Sequence, residues 1–160
     1  MAATRPFEEF TRVYAVTTIA SIAAPTVAEL NAGTDITAFL TKDGLKMGPA
    51  NNTIDDDGLD SSFIPKVPGS YGFDIELMLK RKDAGGDTAW NLFKTRNAAM
   101  NIVVRRLVAY TTAWATSQKV EVYPVATMAL IPNDSGPDTR HLFTAPFAVT
   151  ATPNLDATVA

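Results

Sequence analysis

Residues 73–80 constrain the fold more than any other stretch of this chain. Phe73, Ile75, Leu77 and Leu79 fall on one side, while Asp74, Glu76 and Lys80 fall on the other with Met78 among them. A period of two over eight residues is the pattern of a half-buried strand. The apolar row must then be covered, and the next residues offer a cover. After Asp83-Ala84-Gly85-Gly86, Asp87 is placed to cap a short helix by accepting from its free amides. Ala89, Leu92 and Phe93 share one face of that helix, with Trp90 beside Phe93 at i, i+3. Trp90 stands where a capping box needs Glu or Gln, and Lys94 and Arg96 suit the last turn. So short a helix is unstable alone. Trp90 and Phe93 are therefore expected to pack on Phe73, Ile75, Leu77 and Leu79. A second strand, residues 100–108, follows.

The rest of the chain is read around this unit. Residues 1–12 read as a polar N-terminal arm with Phe7 and Phe10 as anchors. Residues 13–22 are β-branched and read as a strand. Residues 24–33 read as a helical turn started by Pro25 or Thr26 and ended by a left-handed Gly33, and residues 35–40 as another strand. Between 41 and 68 the pattern fails under Gly44, Gly48, Pro49, Gly58, Pro65 and Pro68. That segment reads as a long loop with short extended pieces at 52–55 and 62–64, of the kind that is functional or mobile. Residues 109–116 connect to a strand at 119–131, in which Pro124 marks an edge or a bulge. A turn cluster at 133–138 leads to a last strand, 140–150. Residues 151–160 read as a C-terminal arm with little to pack. The expectation is one mainly β domain, a sandwich or barrel with one flanking α-helix, long loop and terminal arms.

Composition narrows the function by exclusion. With 160 residues the chain can bury a real core as one domain. The net charge of −3 comes with no long run of one sign, unlike a nucleic-acid-coating protein. There is no cysteine, hence no disulfide framework or thiolate metal site. No apolar run is long enough to span a bilayer, and the N-terminus lacks the apolar region of a secretory signal.

No constellation reads as catalytic. His141 is the only histidine, has no nucleophile motif around it, and reads as a surface or structural residue. Asp55, Asp56, Asp57 and Asp60 form an acidic turn without the full spacing of a calcium loop. The Gly85-Gly86 turn lacks the lysine and hydroxyl of a phosphate loop. Lys80, Arg81 and Lys82, like Arg105 and Arg106, alternate faces in a strand and make no single basic patch. They read as strand ends or subunit contacts. No cofactor is implied.

Four segments carry a family resemblance. They are Ala24-Pro25-Thr26-Val27-Ala28-Glu29-Leu30-Asn31-Ala32-Gly33-Thr34-Asp35-Ile36-Thr37; Val67-Pro68-Gly69 before the alternating strand; residues 87–93 with Val103-Val104-Arg105-Arg106; and Lys119-Val120-Glu121-Val122-Tyr123-Pro124-Val125. In pattern and order, over about residues 13–150, the chain resembles the major tail tube proteins of long-tailed, siphophage-type bacteriophages, particularly those of actinobacteria. The resemblance implies a β-sandwich with a flanking helix, similar to the ring protein of type VI secretion. It implies hexameric rings of one chain stacked into a tube, the conduit for genomic DNA ejection. It also implies a place in the virion tail after assembly in the host cytoplasm. Implied partners are further copies, the tape measure, tail terminator and distal tail proteins, and double-stranded DNA in non-specific passage, with no membrane insertion. On this reading Asp74, Glu76 and Glu121 line the lumen, the rival placement being at subunit seams paired with Arg105 or Arg106. Asp55, Asp56, Asp57 and Asp60 meet Lys80, Arg81 and Lys82 of the next ring. Two alternatives are another ring-forming protein, such as a tail terminator or type VI-like ring, and a β-sandwich binding or adhesion module.

Overall fold

A computed structural model describes residues 6–56, 58–59, 62–83, 85–133, 136–137 and 139–160. The strands are β1 (Thr11–Val16), β2 (Thr34–Asp35), β3 (Leu40–Asp55), β4 (Lys66–Lys80), β5 (Ala99–Arg106), β6 (Lys119–Thr127), β7 (Ile131–Asn133), β8 (Leu142–Val149) and β9 (Asn154–Thr158). The helices are α1 (Val27–Ala32) and α2 (Thr88–Phe93), with a 3-10 turn at Thr37–Phe39. All strand pairs are antiparallel, in the order β2-β1-β5-β6-β8-β4-β3, with β7 on β8 and β9 on β6. The sheet curls so far that β1 and β3 line opposite walls of one crevice. The mainly β, sandwich-like expectation holds.

The interior of the curl holds the main core. Ile75, Leu77 and Leu79 are almost fully buried, as their alternation demands, with Phe73 partly buried at the row's end. The helix α2 lies over them. Ala89 and Phe93 are fully buried, and Phe93 meets Phe147 of β8 edge to face at 5.2 Å. Trp90, half-buried, meets Phe143 of β8 in the same geometry at 5.1 Å. The aromatic partners of α2 are thus both on β8, and Ala89 and Phe93 share the core cluster with Ile75, Leu77 and Leu79. Asp87 does not cap α2 with its side chain. Its buried carboxylate accepts from Arg81 Nε at 2.5 Å and from Lys82 N at 3.3 Å, and the Arg81 guanidinium lies 3.8 Å over Trp90. The charge of Arg81 competes for the carboxylate more strongly than neutral helix amides do.

The segment 41–68 is not a loop. Most of it belongs to β3 and the start of β4, which pair from Leu40↔Leu79 to Asp55↔Lys66 as one long hairpin. Gly44, Gly48 and Pro49 sit on the edge strand β3, where they are tolerated; Gly58 and Pro65 lie between the strands, and Pro68 is in the outer part of β4 that pairs with β3. Gly44 lies in the register shift between Leu40 and Leu45, and a Cβ there would come within 2.4 Å of the Met78 carbonyl. The sequence pattern also failed because both faces of the outer hairpin are exposed, so no row of side chains had to be apolar.

The C-terminal arm is also overturned. Asn154–Thr158 forms β9 against β6, and Ala157 and Val159 are buried. Val27 N donates to Ala160 O and Ala160 N to Pro25 O, so the terminus clamps the start of α1. At the other end, β1 begins at Thr11, inside the expected arm, and stops at Val16 rather than at residue 22. Residues 35–40 form the end of β2 and the 3-10 turn instead of a strand. The start of α1 was legible: Thr26 is its N-cap, and Glu29 completes a capping box. Gly33 ends α1 at φ −72°, not left-handed; a Cβ there would come within 2.7 Å of Val16 Cγ2, so close approach is what requires glycine.

Candidate functional site

The outer face of the curled sheet divides in two. On one half, β1, β5, the first half of β6 and β9 carry a second apolar cluster. It comprises Tyr14, Val16, Val103, Val120, Val122, Trp114, Ala157 and Val159, with Leu30 of α1 over it. On the other half, β3, β4, β8 and the second half of β6 present Lys46, Gly48, Gly72, Asp74, Glu76, Pro146, Ala148 and Ala126. These are small or polar residues, and no second apolar cluster covers them among the described residues. Asp74 and Glu76 are exposed there; Gly48 and Ala148 flank Asp74, and Lys46 and Pro146 flank Glu76.

Pro124 marks the boundary. Before it β6 pairs with β9, through Val122↔Asn154; after it β6 pairs with β8, from Val125↔Val149 onward. In an antiparallel ladder a residue's N–H and C=O point to the same side. The Pro124 carbonyl accepts from Thr150 N at 3.0 Å, so its missing N–H falls in the gap between the two partners. The strand is interior, and the proline marks a change of partner rather than an outer edge.

Glu121 does not join Asp74 and Glu76. It shares the inner face with Tyr123 and Val125, at the rim of the main core. Its carboxylate accepts from Arg106 Nε at 2.7 Å and Nη2 at 3.2 Å, and from the Tyr123 hydroxyl at 2.9 Å. The hydrogen bond to Glu121 raises the Arg106 pKa, and burial followed by the same carboxylate raises that of Tyr123. Both β4 and β6 alternate cleanly, but the apolar row of β4 points inward and Val120 and Val122 point outward. Parity within a strand gives no sign relative to another strand.

Arg105 is the site residue that sequence reasoning missed. It is fully buried and, among the described residues, has no carboxylate partner. Its guanidinium donates to the carbonyls of Ala109, Thr112 and Ala113 and to Gln118 Oε1, and lies 4.8 Å from the Trp114 ring. Burial, then the nearby Arg12 charge, lower its pKa from the ordinary value. Residues 107–118 are thereby wrapped around one cation, with Leu107 held at φ 64° and 70% exposed. The sequence offered only an Arg-Arg pair, with no sign that one member would point inward.

The charged ends of the hairpin lie apart. Lys80, Arg81 and Lys82 are at the end of β4 that pairs with β8, where His141 O accepts from Arg81 N at 2.8 Å. Arg81, Lys82, Arg140 and His141 line one crevice there. Asp55 and Asp56 are at the opposite end of β3; Asp55 pairs with Lys66 at 2.7 Å and Asp56 is exposed. Asp57 and Asp60 lie outside the described residues. Among the described residues no group of three or more metal-ligating side chains comes together. No helix among them is long and apolar enough to cross a membrane.

The family model for phage tail tube proteins matches residues 1–160. The chain belongs to the phage tail tube protein family. It is thus a structural component of a phage tail, not an enzyme. Among solved structures, this tail tube chain is similar to one in the six-fold symmetrised cryo-EM structure of the anti-feeding prophage baseplate. The TM-score is 0.60 at 10% identity, and 96% of each chain is covered. At that identity the likeness is one of fold. No curated protein matches the chain.

Proposed function

We propose that this chain forms hexameric rings that stack into the tail tube through which the genome is ejected, with the uncovered half of the sheet turned to the lumen. The observation that carries this reading is the uncovered face beside an unpaired edge. The strand β3 is 16 residues long and, among the described residues, has a partner on one side only. A long open edge invites pairing with another chain. Edge pairing between neighbouring copies closes a ring and extends the uncovered face into a continuous wall. Asp74 and Glu76 then give that wall acidic groups, while Gly48, Gly72 and Ala148 leave it smooth. A wall that passes DNA must not bind phosphate tightly, which a cationic lining would do. The six-fold symmetry of the particle that holds the similar fold supports six copies per ring. Glu121 has no part in this lining, because it sits on the inner face.

The test is electron microscopy of the purified chain over a range of concentrations. Rings or tubes with six-fold symmetry are expected. A particle that stays monomeric at every concentration sinks the proposal and favours a binding module.

A further inference from the structure

Arg105 does not stand alone under the second cluster. Arg12 of β1 lies directly opposite it in the antiparallel pair β1–β5. Arg12 Nη1 and Arg105 Nη2 donate to the same oxygen, the Thr112 carbonyl, at 2.9 and 2.8 Å. Both guanidiniums lie against the Trp114 ring, 5.3 and 4.8 Å from its centre. Like charges facing each other across two strands repel. Among the described residues one carboxylate offsets them: Asp35 Oδ2 lies 3.6 Å from Arg12 Nε, too far for a hydrogen bond. Tyr14, whose hydroxyl accepts from Arg12 Nη2, adds no negative charge, because burial and then Asp35 raise its pKa above the ordinary 10.0.

The same three side chains carry three buried donors. Arg12 Nε, Arg105 Nε and Trp114 Nε1 have no hydrogen-bond partner among the described residues, and Arg105 and Trp114 are 0% and 5% exposed. Leaving a buried donor unpaired is costly, most of all on a charged group. The carbonyls of Ala109, Thr112 and Ala113 and Gln118 Oε1 already accept from Arg105 Nη1 and Nη2. What the cluster lacks is an acceptor that brings negative charge.

We propose that Arg12, Arg105 and Trp114 form a binding site for one small monovalent anion of the chloride class, held by the two Nε–H groups and the indole N–H. Two guanidiniums against one carboxylate leave a single positive charge, which one such ion balances. A halide accepts from several donors and donates to none, whereas a water brings hydrogens that need acceptors of their own. Residues 107–118 wrap Arg105, so the ion also helps to fix the loop that carries the exposed Leu107 and Tyr110. The site lies within one subunit and stands apart from the tube reading.

The test is the melting temperature of the chain as sodium chloride replaces sodium gluconate at constant ionic strength. Gluconate is too large for the site, and fixed ionic strength holds general screening constant. A rise that continues with chloride concentration is expected, as for a ligand that binds only the folded chain. Trp114→Phe keeps the stacked ring and deletes one donor. It is expected to weaken chloride binding by about tenfold or more, the worth of a hydrogen bond to a charged species. A melting temperature indifferent to chloride, or a response unaltered in folded Trp114→Phe, overturns the site. Crystals of the unmodified chain soaked in bromide decide the matter without any variant. An anomalous peak in contact with Trp114 Nε1 and the two guanidiniums is expected, and the lack of a peak there, whatever binds on the surface, overturns the proposal.

Discussion

The half of the sheet around β5 and the half around β4 are built from strands of the same kind, yet only the first is covered on both sides. Around β5, Ile102 and Val104 face the main core while Val103 and Arg105 face the second cluster, and all four are buried. Around β4, Ile75, Leu77 and Leu79 face the core while Asp74 and Glu76 face solvent. The difference is one of burial: the strand covered on both faces is held within the fold, and the other leaves one face to solvent. On the proposed tube reading, the bare face and the open edge of β3 are the parts given to assembly.

The largest expected effect comes from stripping the second cover. Deleting residues 154–160 removes β9, takes Ala157 and Val159 from the second cluster, and frees the start of α1. A chain so shortened is expected to lose its cooperative thermal transition in circular dichroism. An unchanged melting curve breaks the claim that this half depends on its outer cover. Next in size is the cover shared by both halves. Phe93→Ala in α2 leaves a cavity against Phe147 and is expected to cost about 3–5 kcal/mol in denaturant unfolding; a loss below about 1 kcal/mol contradicts the docking.

Sequence patterns located the core strand, α2 and the start of α1 because each has a local cause: alternation, i, i+3 spacing, and a capping box. The same patterns missed the hairpin and β9. The outer hairpin is exposed on both faces, so its strand pairing leaves no apolar trace. In β9 the buried residue Ala157 is too small to register as a core position. Which residues share the bare face was half legible for a related reason. Asp74 and Glu76 followed from the parity of β4, but nothing local to β6 indicates that its apolar row faces the other way. Asp87 likewise looked like a cap because its competitor, Arg81, lies across the Gly85-Gly86 turn.

Smaller effects sharpen the comparison. The capping box of α1 supports only the outer cover. Thr26→Ala is expected to cost about 1 kcal/mol. Backbone hydrogen bonds from Thr26 and Ala20 hold the Glu29 pKa below its ordinary value of 4.5. The stability this gives is therefore present above that value and is lost as pH falls through the lower folded one. Glu29→Gln should remove that acid-side slope, which urea titrations between neutral and acidic pH can follow; an unaltered slope contradicts the assignment. Smallest of all is the expected effect on subunit stability of Glu76→Lys on the bare face. Exposed there, it should change unfolding free energy by no more than about 0.5 kcal/mol. A larger loss means that the face does structural work inside the subunit.

The central claim is that the uncovered half-sheet faces the lumen, and a cryo-EM reconstruction of tubes assembled from this chain tests it most directly. The account predicts Asp74 and Glu76 on the innermost radius, Glu121 within the wall against Arg106, and β3 paired to the neighbouring subunit. A map with Asp74 and Glu76 on the outer surface of the tube contradicts it.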